Sequence, residues 1–121
     1  MEAVNVSVLR GVISGPPEVR ALKSGRRIAT LAVRTSAGDG HNTSVPVTVW
    51  DPPAWLETLE ADDDVLVVGR VRRRFFRTAG GASGARTDVE AESVARARDR
   101  RRLAAVMRRV DRGLDRLDET E

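Results

Sequence analysis

"VPVTVWDPPAWLETLEADDDVLVV", residues 45–68, decides the reading of the fold. It opens in alternation. Val45, Val47 and Val49 fall on one side of an extended strand, and Ser44, Thr48 and Trp50 fall on the other, the period of a strand with one buried face. At Asp51-Pro52-Pro53 the period changes. Asp51 can cap a helix, Pro52 fits a first turn, and Trp55 with Leu59 makes an i, i+4 apolar pair, so the spacing predicts a short helix over 52–60. An aliphatic, β-branched run then resumes after Asp64.

Working outward, "VNVSVLRGVI" (4–13) sets Val4, Val6 and Val8 against Asn5 and Ser7 and predicts a long first strand, which Gly15-Pro16-Pro17 breaks. Ser24-Gly25 offers a turn before "RRIATLAVR" (26–34), a second strand, and "TSAGDGHN" (35–42) reads as a hairpin loop. On the far side, "DVLVVGRVRRRFF" (64–76) is a fourth strand, "TAGGASGA" (78–85) a hairpin, and the last strand lies near "RTDVEAESV" (86–94). The order predicts a mainly β fold: a five-stranded OB-fold barrel with one short helix between strands 3 and 4. An SH3-like barrel has no natural place for that helix.

Residues 1–94 form the expected domain, and 95–121 a basic amphipathic helix appended to it. In that extension Leu103, Met107, Val110, Leu114 and Leu117 are spaced 4, 3, 4, 3, a heptad seam of little more than two repeats. Two heptads are too few for a stable free coiled coil, and Gly113 weakens the helix. Packing back on the barrel and pairing with a partner or a second copy are equally open.

Composition narrows the function classes. With 40 % hydrophobic and 32 % charged residues in 121, the chain has the makings of one modest core. There is no cysteine, so a disulfide framework, a thiolate nucleophile and a cysteine-ligated zinc are excluded. No apolar run approaches the roughly 20 residues that span a bilayer, and "MEAVNVSV" lacks the order of a signal peptide. A cytoplasmic protein with no membrane partner is expected. The net charge of +3 is unevenly placed, because residues 1–94 hold 12 basic and 12 acidic side chains while 95–121 hold 9 and 6. Lys23 is the only lysine, and arginine favours planar contacts with phosphates and bases.

Parity in the fourth strand selects the candidate site. Val65, Val67, Val71 and Phe75 share one face, and Arg70, Arg72, Arg74 and Phe76 share the other. Phe75 is therefore expected in the core. A row of guanidiniums ending in an aromatic suits single-stranded nucleic acid, since the cations neutralise the backbone while a ring stacks on any base. Trp50, on the polar face of its own strand, is the second platform, and Arg77 and Arg86 flank the glycine-rich hairpin beyond. Trp55 anchors the short helix. Asp62, Asp63 and Asp64 read as a solubilising turn, because adjacent carboxylates do not converge easily on a metal. His41 is the sole histidine, in a loop, and neither a nucleophile elbow nor a phosphate-binding loop is present, so no catalytic residue, metal or cofactor is expected.

Several stretches together resemble bacterial single-stranded DNA-binding proteins. "NVSVLRGVISGPPEVR" (5–20) is similar to the opening of that family, in which Asn, alternating aliphatics, Gly and a Pro-Glu-Val-Arg turn recur at the same spacing. "SGRRIATLAVRTS" (24–36), "VPVTVW" (45–50) followed by a helix, and "VLVVGRVRRRFF" (65–76) extend the resemblance over residues 4–94. It implies an OB-fold that binds single-stranded DNA without sequence preference in bacterial replication, repair or recombination, at the nucleoid, from four OB-folds and usually as a homotetramer. It also places stacking aromatics at Trp50 and Phe76. Ser44 stands where the family usually has another aromatic, and the second hairpin lacks a ring, which implies a smaller footprint and more dependence on arginines and salt. The ending "RLDETE" departs from the family's acidic tip closed by a hydrophobic residue, which puts tail-mediated recruitment of enzymes in doubt. Stacking and phosphate contacts do not separate DNA from RNA. The alternative is an interaction or oligomerisation module with a degenerate groove.

Overall fold

The computed structural model describes residues 3–118; part of the closing "RLDETE" lies outside the described residues. Six strand segments wind into one sheet, β1 (Ser7–Ile13), β2 (Glu18–Ala21), β3 (Arg27–Ser36), β4 (Asn42–Trp50), β5 (Asp64–Arg77) and β6 (Ser83–Arg96), followed by helix α1 (Arg100–Asp118). Their order is β1-β5-β6-β4-β3-β2, and β1 also pairs with β3 through Val12 and Ile13, which closes the sheet into a five-strand barrel. All pairings are antiparallel except β4 with β6. This is the OB-fold expected from the element order.

The long first strand is broken. Ser14–Pro17 interrupts it because two prolines remove two ladder donors, and β2 resumes the path along β3. Closure at this corner brings backbones very close: a Cβ on Gly11 would stand 2.1 Å from the Arg34 carbonyl oxygen, so only glycine fits.

The barrel interior is aliphatic, with Ile13, Leu31, Val33, Val47, Val65 and Val67 at its centre and Leu56 and Leu59 plugging one end. Each such side chain contributes roughly 1.5–3 kcal/mol relative to exposure. The valines expected to be the buried face of the first strand are not in this core. Val4, Val6 and Val8 are exposed, because β1 begins only at Ser7 and its inward positions are Leu9 and Ile13. Asn5 still ties this segment down: its side-chain amide donates to the Val71 carbonyl at 2.7 Å and accepts from the Val71 N–H at 2.9 Å.

The expected helix at 52–60 is a single 3-10 turn, Ala54–Thr58. Two consecutive prolines leave too few donors for an α-helical start, and the cap position falls to Pro53 rather than Asp51. Asp51 instead has a left-handed backbone, φ 49°, and turns its carboxylate elsewhere.

α1 lies on the outer face of the barrel. Asp99 caps it, its Oδ1 accepting from the Arg102 N–H at 3.1 Å. Leu103, Val106, Met107 and Val110 pack on Leu66 and Val68, the outward residues of β5. Three members of the heptad seam are thus used within the chain, and Leu114 stays exposed.

Candidate nucleic-acid interface

Strand β5 outruns the barrel. Its first half, Val65–Val68, has the core on one side and α1 on the other, whereas residues 70–77 pair only with 83–90 and form a two-stranded arm. A bulge between Val68 and Gly69 marks the change, and a Cβ on Gly69 would meet the Glu90 carbonyl oxygen at 2.1 Å. The parity assigned from the sequence persists along β5, but beyond the bulge no core remains to receive its apolar side. Phe75 is accordingly 78 % exposed, which corrects the expectation that it lies in the core, and Val71 on the same side is exposed as well. The Arg73 guanidinium sits 5.5 Å from the Phe75 ring on that same side of the arm.

The other side of the arm faces a groove of about 330 Å³. Thr30, Ala32, Pro46 and Thr48 make its floor from the outward positions of β3 and β4; Glu18 and Arg20 of β2 form one wall, and Arg74, Arg86 and Asp88 of the arm the other. The floor residues are small, so a flat ligand can approach the sheet. Phe76 stands at the tip of the arm with its ring over Gly84, half exposed. Any residue larger than glycine at 84 would displace that ring, since a Cβ there lies 2.7 Å from Phe76 Cζ.

Trp50 ends β4 at the opposite extremity. In the ladder Thr48 pairs with Glu90 and Phe76 with Gly84, so the two rings are separated by on the order of 25 Å of strand path. Trp50 is partly exposed, and Arg26 covers it at 4.5 Å from the ring centroid. Arg26 is held there by Asp51, whose Oδ2 accepts from Nη2 at 2.8 Å and from Nε at 3.2 Å. That hydrogen bond holds the Asp51 carboxyl below, and the Arg26 guanidinium above, their ordinary values. The left-handed backbone at Asp51 is what aims the carboxylate at Arg26.

The arginine row is not the open row of charge expected from the sequence. Arg72 Nη1 lies 2.7 Å from Glu90 and Arg70 3.6 Å from it, while Asp88 lies 3.2 Å from Arg74 Nε and 3.7 Å from Arg72 Nε. Asp88 is buried and accepts a hydrogen bond at 2.8 Å from the Thr48 hydroxyl, which pins it to the groove floor. Three guanidiniums therefore face two carboxylates. The signal was present in the sequence: Asp88 and Glu90 alternate with Val89 and Ala91, so once β6 pairs with β5 both acids fall on the arginine face. Arg73, Arg77 and Arg86 have no acidic partner among the described residues. Arg20 on the opposite wall is likewise unpaired, and it had not been singled out.

Trp55 has the structural place expected of it. Its ring packs against the core between Arg96, at 5.6 Å, and Arg102 of α1, at 5.2 Å. Of the aspartate turn, Asp63 accepts from the Glu60 N–H at 2.8 Å, and Asp62 and Asp64 reach Arg34 and Arg10, each at 3.4 Å. The turn's carboxylates are thus engaged with neighbouring strands as well as with solvent.

This barrel is shared with solved structures. The wild-type single-stranded DNA-binding protein from Thermus aquaticus aligns with a TM-score of 0.63 at 23 % identity, over 77 % of this chain and 40 % of that one. A deletion mutant of the same protein, lacking residues 228–252 and carrying R190A, aligns with a TM-score of 0.64 at 23 % identity and the same coverage. The chain thus spans about two-fifths of the length of these structures and has their OB-fold. No protein-family profile matches the sequence, and no curated protein matches it.

Proposed function

We propose that this chain binds single-stranded DNA without sequence preference across the outer face of its barrel, as a non-enzymatic protein of replication, repair or recombination. The observation that carries the reading is a small-residue groove edged by arginines, with the partly exposed rings of Trp50 and Phe76 two residues beyond its lining residues Thr48 and Arg74 on their strands, on a barrel shared with single-stranded DNA-binding proteins. Bases stack on the rings. Phosphates in the groove meet the unpaired Arg20 and Arg86 and the single charge left on Arg70, Arg72 and Arg74 after Asp88 and Glu90; Arg73, Phe75 and Arg77 lie on the other side of the arm and are met where the strand rounds its tip. At Trp50 the stack is made either on the ring, after Arg26 swings aside, or on the Arg26 guanidinium itself, which is also planar.

Titration with oligo-dT in a Trp55→Phe background isolates Trp50 and should quench its emission, more weakly as salt rises. Changing Trp50 and Phe76 together to alanine should cost about 2–6 kcal/mol of binding, from roughly 1–3 kcal/mol per stacked base. No quenching at low salt contradicts the reading. Competition by a matched RNA oligomer reports the choice of sugar.

A homo-oligomer is the second reading, favoured by the exposed Val4, Val6 and Val8 beside a β1 edge that carries no strand along Ser7–Gly11 among the described residues. A second copy that pairs along this edge would cover those valines, and a tetramer is the state we favour over a dimer. Light scattering on the eluted protein should give a multiple of 13.2 kDa; a monomer at micromolar concentration overturns it.

A further inference from the structure

Helix α1 is the least neutralised cationic element of the chain. It opens with Arg100, Arg101 and Arg102 and has no acid in its first turn, so three positive charges sit where the helix dipole is already positive. Further along, Arg108, Arg112 and Arg116 follow each other at i, i+4, a like-charge ladder where a merely solvated helix gains by alternating signs. Asp111 and Asp115, three residues after Arg108 and Arg112, make no ion pair with them. The helix is fastened to the barrel by Leu103, Val106, Met107 and Val110, which turns Arg101, Arg108, Arg112 and Arg116 to solvent.

Position joins this charge to the groove. α1 lies on the outward residues Leu66 and Val68 of β5, the same face on which Arg70, Arg72 and Arg74 follow. Its flank at Arg102 touches Trp55, and the 3-10 turn holding Trp55 starts four residues after Trp50. Heptad spacing puts Arg109 and Arg116 on that flank as well, so a row about 21 Å long runs along the helix from its contact with Trp55.

We infer that α1 is a second phosphate-binding track, which holds the backbone of single-stranded DNA after it leaves the groove and so lengthens the footprint without adding base contacts. The inference rests on the groove reading for the strand's path, but the helix contact can be tested separately. The partner is a polyanionic strand with regular phosphates; the helix offers guanidiniums and no ring on its solvent face.

The test uses the full chain with Arg108, Arg109, Arg112 and Arg116 changed to Gln, alongside the same four changed to Lys and a Trp50→Ala/Phe76→Ala protein. Affinity for an 8-nucleotide and a 30-nucleotide oligo-dT is measured against sodium chloride, with helicity checked by circular dichroism. For the 30-mer the Gln protein should lose at least tenfold in affinity at low salt, and the slope of log K against log salt should flatten by about 2–3, at roughly 0.7 per phosphate contact. The 8-mer should change less than twofold, and the Lys protein should bind as the parent does. Equal loss for both lengths, or an unchanged 30-mer slope, overturns the inference. Should the 30-mer depend on the helix arginines but not on Trp50 and Phe76, the track stands and the groove reading falls; binding of neither length overturns both.

Discussion

The arginines of β5 and those of α1 look alike in the sequence and differ in the fold. On β5, Arg70, Arg72 and Arg74 are spaced two apart and meet Asp88 and Glu90 of the paired strand, so most of their charge is spent inside the sheet. On α1, arginines of similar density meet no acid at all among the described residues. A count of basic residues therefore says little about where a polyanion is attracted. What matters is whether the element that pairs with the arginines supplies carboxylates in register.

The comparison breaks first at Asp88. Replacing it with alanine removes the shared partner of Arg72 and Arg74 and strands the Thr48 hydroxyl. Urea unfolding should show a loss of about 2–3 kcal/mol, below the 3–5 kcal/mol of a fully buried pair because both arginines are about 30 % exposed and can turn to water. An unchanged midpoint would mean the pairing on β5 is incidental. Next is Val106→Ala, which hollows the contact of α1 with Leu66 and Val68; we expect about 2 kcal/mol from two lost methyl groups and the cavity left behind. A loss of helicity with no change in barrel stability would instead make α1 a separate unit.

Glu90→Gln sharpens the contrast from the other side. It releases Arg70 and Arg72 at little cost in stability, and it should raise low-salt affinity for oligo-dT about threefold and steepen the salt slope by about 0.7–1.4. Weaker binding would show that Glu90 orients the guanidiniums for phosphate rather than competing with it.

The smallest effect is at Trp50. The Asp51 carboxyl is held below its usual 3.8 by the hydrogen bond from Arg26, so the contact is complete above that value and is lost as pH falls through the depressed one. In the Trp55→Phe background the Trp50 emission should be flat from neutrality down to about pH 4 and change only below 3.8. A change centred near neutrality would separate Arg26 from the ring.

The alternation in 45–49, the aliphatic run at 65–68 and the break between them were enough for the barrel, because a strand's pattern and a turn's chemistry are local. Local rules failed where the outcome depends on what lies across the sheet. Phe75 obeys the parity of Val65 and Val67, yet it is exposed because β5 continues past the end of the core. Val4, Val6 and Val8 alternate as well as any strand in the chain, but strand pairing starts only at Ser7, after Val4 and Val6, and Val8 falls on the outward side of β1. The helix expected at 52–60 shrank to one turn once Pro53 took the cap position and Asp51 turned to Arg26. The outward, partly exposed placement of Trp50 and Phe76 was legible from parity. The Asp88 and Glu90 partners required the β5–β6 register, and Arg20 required knowing that β2 faces the arm across the groove.

The central claim is that DNA lies along the outer face from Trp50 to Phe76. Photocrosslinking with an oligo-dT carrying 5-iodouracil at single positions, followed by peptide mapping, tests it most directly. The account predicts adducts on Trp50 and on Phe76 or Phe75, at substitution positions several nucleotides apart; adducts confined to Trp55, or none on either end of the groove, would contradict it.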